Sequence, residues 1–160
     1  MIKLYKGTKG DVLHYHEAWS ADATITEHWG KLGEIGSTRD HFLLEADDPD
    51  DALEAVLASA RATGFAELDD DDLQVLRIEY RIQGMGSAAD LSKRQALEDR
   101  LNEVLGWVGL GQCEGGNLAY GAMELCCLVV DFTLARSVIE ADLAGSVFGD
   151  YSRIFAPEAS

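Results

Sequence analysis

The segment TEHWGKLGEIGST, residues 26 to 38, carries three glycines within seven residues, directly after a tryptophan. Gly30, Gly33 and Gly36 are spaced three apart, and glycine adopts positive φ angles at no steric cost. We therefore expect a tight connection between two strands at this point. Because Trp29 and Lys31 flank the first glycine, the same segment also offers an aromatic ring and a cation to a binding partner.

The residues on either side of this turn alternate between apolar and polar, as half-buried strands do. DVLHYHEAWS (11–20) and ADATITEHWG (21–30) predict a hairpin, and STRDHFLLEA (37–46) predicts a third strand. DDPDDALEAVLASARATG (47–64) has an acidic start, apolar residues at helical spacing and a glycine at its end, which predict a helix. The first 68 residues therefore predict an antiparallel sheet with one helix packed against it.

This order of features resembles the WGR domain, a family named for a Trp-Gly-Arg triplet. In the family, a G-x-x-G turn and a polar strand that ends in an aromatic residue follow the triplet. The matching residues here are Trp29, Gly30, Lys31, Gly33, Gly36 and Phe42, and later Gly64 and Phe65. The family is known from bacterial proteins and from poly(ADP-ribose) polymerases, where it contacts DNA ends and neighbouring domains. The resemblance, over about residues 2–68, implies a binding module that uses Trp29 and Lys31.

The net charge of −16 is evidence against a nucleic-acid partner. Polyanion binding comes largely from lysine and arginine displacing counterions, so an overall negative field opposes DNA, RNA and anionic membranes. We therefore expect a basic protein as the partner. A basic strip that joins Lys31 and Arg39 to Lys3, Lys6 and Lys9 would instead favour nucleic acid.

The acidic run ELDDDDL (67–73) resists burial and predicts a linker at residues 69–72. The segments after it predict a strand (73–84), a helix (87–107), a glycine-rich passage with a short strand (109–121), an apolar strand (122–131), a helix (133–145) and a last strand (150–155). This β-α-β-β-α-β order is that of a ferredoxin-like fold. We expect an α+β protein with a WGR-like domain at 1–68 and a ferredoxin-like domain at 73–160.

The sequence contains no recognisable catalytic constellation. GQCEGGN (111–117) places Cys113 beside glycines, but a cysteine nucleophile needs a histidine base and the second half has no histidine. His14 and His16 are spaced like two metal ligands on a strand, without an evident third ligand. We expect no enzymatic activity, no metal and no cofactor. Because glycine-rich segments let another chain approach closely, Glu114 and Asn117 are candidates for partner contact.

The cysteine pattern and the N-terminal sequence are typical of a cytoplasmic protein. Three cysteines without a C-x-x-C spacing predict neither a disulfide framework nor a zinc site. Cys126 and Cys127 lie in an apolar run, where free cysteines usually pack in the core. No apolar segment resembles a signal peptide or is long enough to span a bilayer. We expect no membrane partner.

The function that these features favour is a non-enzymatic protein-binding module, for example an immunity or antitoxin-like protein that neutralises a basic partner. The candidate partner-binding residues are Trp29, Lys31, Arg39, Glu114 and Asn117. The alternative is a WGR-type DNA-binding or regulatory module that acts through Trp29 and Lys31. An edge strand of the second half can also pair with another chain, which would give a homodimer.

Overall fold

The structure, a computed structural model, describes residues 1–8 and 11–158 and divides the chain into two units, Met1–Asp72 and Leu73–Ser160. Within the described residues the protein is α+β, with two four-stranded antiparallel sheets and three α-helices. None of the helices in these ranges combines the length and apolar composition that a membrane crossing requires. The first unit ends in the aspartate run, where Asp70–Asp72 forms one 3₁₀ turn with no buried residue.

The first unit is built on a meander of four strands. They are β1 (Ile2–Thr8), β2 (Asp11–Ala21), β3 (Thr24–Lys31) and β4 (Ser37–Phe42), and each pairs antiparallel with the next. The connection from β2 to β3 is tight because Asp22 adopts a positive φ of 54°, which aspartate tolerates better than most residues. The sequence pattern predicted β2, β3 and β4 but not β1.

Helix α1 (Pro49–Ala62) packs on one face of this sheet. Asp48 caps the helix by accepting hydrogen bonds from two backbone N–H groups of the first turn. Pro49 is the first residue of the helix, where a backbone N–H has no intrahelical acceptor and proline therefore loses no hydrogen bond. The contact buries Leu53, Leu57 and Ala60 of the helix against Leu4, Ala18 and Ile25 of the sheet. These sheet residues cluster toward one end of the face. The other end of the same face carries polar side chains.

The second unit pairs four strands with two helices. Its elements are β5 (Gln74–Arg81), α2 (Ala88–Trp107), β6 (Gly111–Ala119), β7 (Ala122–Val129), α3 (Phe132–Leu143) and β8 (Arg153–Phe155). The strand order is β6-β7-β5-β8, and every neighbouring pair is antiparallel. Burial alternates strictly along β7, so one sheet face packs against the helices and the other face is open to solvent.

Both helices of this unit begin at a capped residue. The Ser87 hydroxyl accepts from the Asp90 N–H at 3.2 Å while the Asp90 carboxylate accepts from the Ser87 N–H at 2.8 Å, which together form a capping box. Asp131 caps α3 by accepting from the Leu134 N–H at 2.8 Å. Caps of this kind each contribute about 1 kcal/mol to helix stability.

The prediction that no cysteines are paired was wrong. Cys113 on β6 and Cys127 on β7 are register partners, and their sulfurs form a disulfide with an S–S distance of 2.11 Å. The sequence separation of 14 gives no hint of this pairing, because it depends on how the two strands align. Cys126 points to the opposite sheet face as a half-buried free thiol.

Candidate functional site

Gly30 and Gly36 are glycines because the turn after β3 folds tightly over the Tyr15 hydroxyl. A Cβ on Gly36 would lie 2.1 Å from the Trp29 carbonyl oxygen, and a Cβ on Gly30 would lie 3.0 Å from the Tyr15 hydroxyl. Gly33 and Gly36 also have positive φ angles of 89° and 71°. These glycines therefore have the structural role that their spacing predicted.

A buried polar cluster on the sheet face opposite α1 holds this turn. The Tyr15 hydroxyl lies 2.6 and 2.7 Å from the carbonyl oxygens of Glu34 and Ile35, to which it donates. His28, which is fully buried, donates from Nδ1 to Glu17 at 2.8 Å, and its Nε2 faces the Ile35 carbonyl. Burial, with the nearby Glu17 carboxylate as a second cause, raises the pKa of Tyr15 above its usual range. This cluster is structural.

The other face carries a row of stacked cations and rings that we call the cation–aromatic ladder: Lys6, Phe65, His16, Trp29 and Arg39. The Lys6 Nζ lies 5.7 Å from the Phe65 ring centre, and the His16 ring packs edge-on against Phe65 at 5.6 Å. His16 also stacks on Trp29 at 5.6 Å, and the Arg39 guanidinium lies 5.3 Å from the Trp29 ring centre. The ladder thus crosses the whole sheet, with a fixed cation at each end.

Glu27 holds two histidines at the edge of the ladder. Its carboxylate is mostly buried and accepts from His16 Nε2 at 3.1 Å and from His41 Nε2 at 3.2 Å. The His16 and His41 side chains keep 16% and 34% of their surface exposed, so solvent and ligands reach them. Glu27 therefore orients His16 against Trp29, and it keeps the partly exposed rings of His16 and His41 at the surface of the sheet.

The strand register adds a further cation to this face. Lys6, His14 and Lys31 are cross-strand neighbours on β1, β2 and β3, and all three are exposed. Lys3 is the register partner of Glu17 and lies on the opposite face, and Lys9 lies outside the described residues. The basic strip that would favour nucleic acid is therefore present in part, through Lys6, Lys31 and Arg39.

Trp29 belongs to the site but is not an open stacking platform. His16 of β2 stacks on the indole and the Arg39 guanidinium of β4 lies over it, so two side chains already occupy positions against the ring. Trp29 is half-buried. Its position holds the Arg39 guanidinium above the sheet by a cation–π contact.

The remaining two predicted residues, Glu114 and Asn117, belong to the second unit and line one cavity there. The cavity has a volume of about 250 Å³, lies on the open sheet face and is also lined by Arg77, Gly116, Glu124 and Cys126. The structure thus gathers the five predicted residues into two sites, three in the first unit and two in the second.

Within residues 1–8 and 11–158, no group of three or more histidine, cysteine, aspartate or glutamate side chains is arranged to hold a metal ion. His14 and His16 share a sheet face, but each engages different neighbours: His16 donates to Glu27, and His14 lies between Lys6 and Lys31 in the register.

Comparison with models of protein families, with curated proteins and with solved structures finds no match to this chain.

The ladder contains three residues that were not among the five candidate partner-binding residues of the sequence analysis: Lys6, His16 and Phe65. Lys6 and His16 each follow a tyrosine in their strands, and polar residues at such positions are equally typical of a solvated sheet face. Only the cross-strand register brings them together with Trp29.

Proposed function

We propose that the first unit is a WGR-like, non-enzymatic module that binds the phosphate backbone of a nucleic acid through its cation–aromatic ladder. The observation that carries this proposal is the clustering of Lys6, Lys31 and Arg39 on one sheet face of a chain whose net charge is −16. Fixed cations that collect on one face of an acidic protein create a local attraction for anions against the overall field.

The geometry favours contact with phosphates over contact with bases. Because His16 stacks on Trp29 and the Arg39 guanidinium lies over the same indole, a base would have to compete with these side chains to stack on the ring. Arginine and lysine are the side chains that most often bind phosphate oxygens, and such contacts carry no sequence information. We therefore expect binding that is independent of base sequence.

The number of cations sets the expected strength of binding. Three fixed cations predict a slope of log affinity against log salt of about −3 or shallower. The acidic surroundings weaken the interaction further, so binding should be measurable at about 50 mM salt and largely lost at about 200 mM.

The test is fluorescence anisotropy with a short blunt DNA duplex at these two salt concentrations. Lys31→Glu should weaken binding about tenfold or more, because it reverses a charge within the site. Lys3→Glu is the matched control, since it changes the net charge equally but lies on the opposite face, and it should change the affinity much less. Absence of binding at low salt, or equal losses in both variants, would contradict the proposal.

A second candidate function is recognition of a basic protein, as an immunity or antitoxin-like protein would require. It is supported by the exposed carboxylates that surround the start of α1, namely Asp47, Asp48, Asp50 and Asp51. A lysine-rich peptide used in the same anisotropy assay distinguishes the two functions. If the peptide binds and Asp50→Asn with Asp51→Asn weakens it, while the duplex does not bind, the second function replaces the first.

For the second unit, we propose a ferredoxin-like arrangement. It is supported by the chain order β-α-β-β-α-β and by the strand order β6-β7-β5-β8. In this sheet α2 joins β5 to β6, which have β7 between them, and α3 joins β7 to β8, which have β5 between them. The outer strands β6 and β8 leave two edges at which a second copy can pair, so a homodimer is part of this proposal. Sedimentation equilibrium over a range of concentrations tests the dimer.

A cytoplasmic location also remains a proposal, and the disulfide gives a way to test it. In a reducing compartment the Cys113–Cys127 pair would be open, whereas in an oxidising one it would be closed. Counting reactive thiols after rapid acid quenching of cells should give three per chain if the protein is cytoplasmic. One thiol per chain, from Cys126 alone, would contradict that location.

A further inference from the structure

The cavity in the second unit depends on a β-bulge in strand β6. Cys113 pairs with Cys127, and Gly116 pairs with Leu125, so Glu114 and Gly115 together stand opposite Cys126. Glu114 and Asn117 are three residues apart, and a regular strand would place them on opposite faces. The extra residue brings both side chains to the open face, which is a common effect of bulges beside binding sites.

Gly116 allows the bulged strand to approach its neighbour. A Cβ at this position would lie 2.1 Å from the Glu124 carbonyl oxygen, so no other residue fits without a backbone shift. Gly115 has a positive φ of 82°. The glycine-rich sequence therefore builds a particular local shape, and that shape forms one wall of the cavity.

The lining combines two carboxylates, one cation, one amide and one thiol. Glu124 faces Arg77 across a loose ion pair of 3.5 Å, and Glu114 accepts from Gln112 at 3.0 Å. Within the described part of the chain, the side chains of Glu124 and Asn117 form no hydrogen bond. A third carboxylate of this sheet face, Glu79, is already bound by Ser152 and Arg153. The cavity therefore has an excess of one negative charge and unused hydrogen-bond acceptors.

We propose that this cavity receives an arginine side chain from a basic protein partner. The planar guanidinium matches two carboxylates and an amide oxygen, because it presents five donors in a fixed fork. The apolar stem of the arginine would lie along the Cys126 thiol and Gly116, as long basic side chains do when their charged end reaches polar groups. The site belongs to the second unit and does not depend on the ladder.

Charge complementarity selects this occupant over an anionic one. Glu114 and Glu124 outnumber Arg77 in the cavity, and the whole chain attracts cations with its charge of −16. Arg77 then acts as the resident cation that an incoming guanidinium displaces from Glu124. Removing Arg77 should therefore strengthen binding of the partner arginine, whereas a site for a carboxylate or phosphate would lose its binding group.

Cys126 provides a built-in reporter of occupancy, because it is the free cysteine of the chain and lines the cavity. The probe is the tripeptide acetyl-Gly-Arg-Gly-amide, and its control is the same peptide with citrulline, which has the same shape without the charge. At saturation the arginine peptide should slow alkylation of Cys126 by iodoacetamide at least about threefold, and the citrulline peptide should not. Equal protection by both peptides, or by neither, would overturn the proposal.

Three variants sharpen this test in the full-length protein. Glu124→Gln should weaken the arginine peptide about tenfold, since it removes a charge-assisted hydrogen bond. Arg77→Gln should tighten it by a few fold, a gain that a folding defect cannot produce. Glu103→Gln, on the exposed side of α2, should leave the affinity unchanged. Weaker binding of the arginine peptide in Arg77→Gln would show that Arg77 does not compete for Glu124, and it would overturn the assignment.

Discussion

The first sheet contains two histidine–glutamate clusters, one on each face, whose surroundings differ. His28 and Glu17 are almost completely removed from solvent, with side-chain exposures of 0% and 7%. His16 and His41 share Glu27 on the other face and remain 16% and 34% exposed. The same two residue types therefore form a buried structural contact on one face of the sheet and a solvent-accessible cluster on the other.

Burial decides which of the two clusters contributes to stability and which is available for binding. A buried pair becomes strongly destabilising when one partner is removed, because the other is left without a hydrogen-bond partner. An exposed pair is screened by water, and its removal changes stability little. The buried cluster anchors the glycine turn, and the exposed one shapes the ladder. Four substitutions measure how far this contrast extends.

The largest effect is expected from His28→Ala. Removing the imidazole leaves the buried Glu17 carboxylate without this partner and takes one of two contacts from the Ile35 carbonyl, which should lower the free energy of unfolding of the first unit by about 3 to 5 kcal/mol. His41→Ala, the matched change on the exposed face, should lower it by about 1 kcal/mol or less. Hydrogen exchange of the β2 and β3 amides measures both. Equal losses in the two variants would remove the contrast between the faces.

The next effect concerns the turn that the buried cluster holds. Gly36→Ala places a Cβ 2.1 Å from the Trp29 carbonyl at a φ of 71°, and it should destabilise the unit by about 3 kcal/mol. Gly64→Ala also has a positive φ, of 103°, but its nearest neighbour is a Lys6 carbon at 3.8 Å. Its cost should be about 1 kcal/mol, from backbone strain alone. Denaturation in urea gives both values, and a Gly36→Ala variant as stable as Gly64→Ala would contradict the close packing of the turn.

Much of the fold is predictable from local patterns in the sequence. Alternation identified β2 and β3, helical spacing identified α1, and the helix predicted over residues 87–107 matches α2 within one residue. Strand β1 was not predicted because its alternating pattern is short and is interrupted by Gly7. Its pairing with β2 holds it as a strand in the structure. The WGR resemblance of this unit stays a prediction.

The site was less predictable than the fold because it depends on register. The sequence singled out Trp29, Lys31 and Arg39, and the structure places all three on one face. Phe65, which lies 36 positions beyond Trp29 in the chain, completes the ladder only because the segment after α1 returns along β1. The Cys113–Cys127 disulfide was missed for the same reason, since it depends on the pairing of β6 with β7.

Tyr15→Phe should have a moderate effect that depends on pH. Losing the hydroxyl takes the side-chain donor from the Glu34 carbonyl and leaves the Ile35 carbonyl with His28 alone, which should lower stability near neutral pH by about 1 to 2 kcal/mol. Burial raises the pKa of Tyr15 in the folded state above the value of about 10 for an unfolded chain. The stability that depends on the protonated phenol is therefore intact below pH of about 10 and is lost as the pH rises toward the folded pKa.

The variant should therefore show a shallower loss of stability above pH of about 10 than the parent protein does. Urea denaturation at a series of alkaline pH values tests this, with Tyr120→Phe as the control because Tyr120 is 82% exposed. If Tyr15→Phe and the parent lose stability in parallel, the hydroxyl is not held in the folded state as the hydrogen bonds indicate.

The smallest effect is expected at the exposed cluster and appears in binding rather than stability. Glu27→Gln keeps an oxygen that can accept from His16 or His41 but removes the carboxylate at the edge of the ladder, so stability should change by about 1 kcal/mol or less. One negative charge about 7 Å from a bound phosphate opposes it by about 0.6 kcal/mol in water, so the duplex should bind about threefold more tightly at low salt. Glu54→Gln, which removes the same charge from the exposed partner of Arg61 on α1, should leave the affinity unchanged. If both variants tighten binding equally, the duplex responds to net charge alone, and the exposed histidine–glutamate cluster has no special place in recognition.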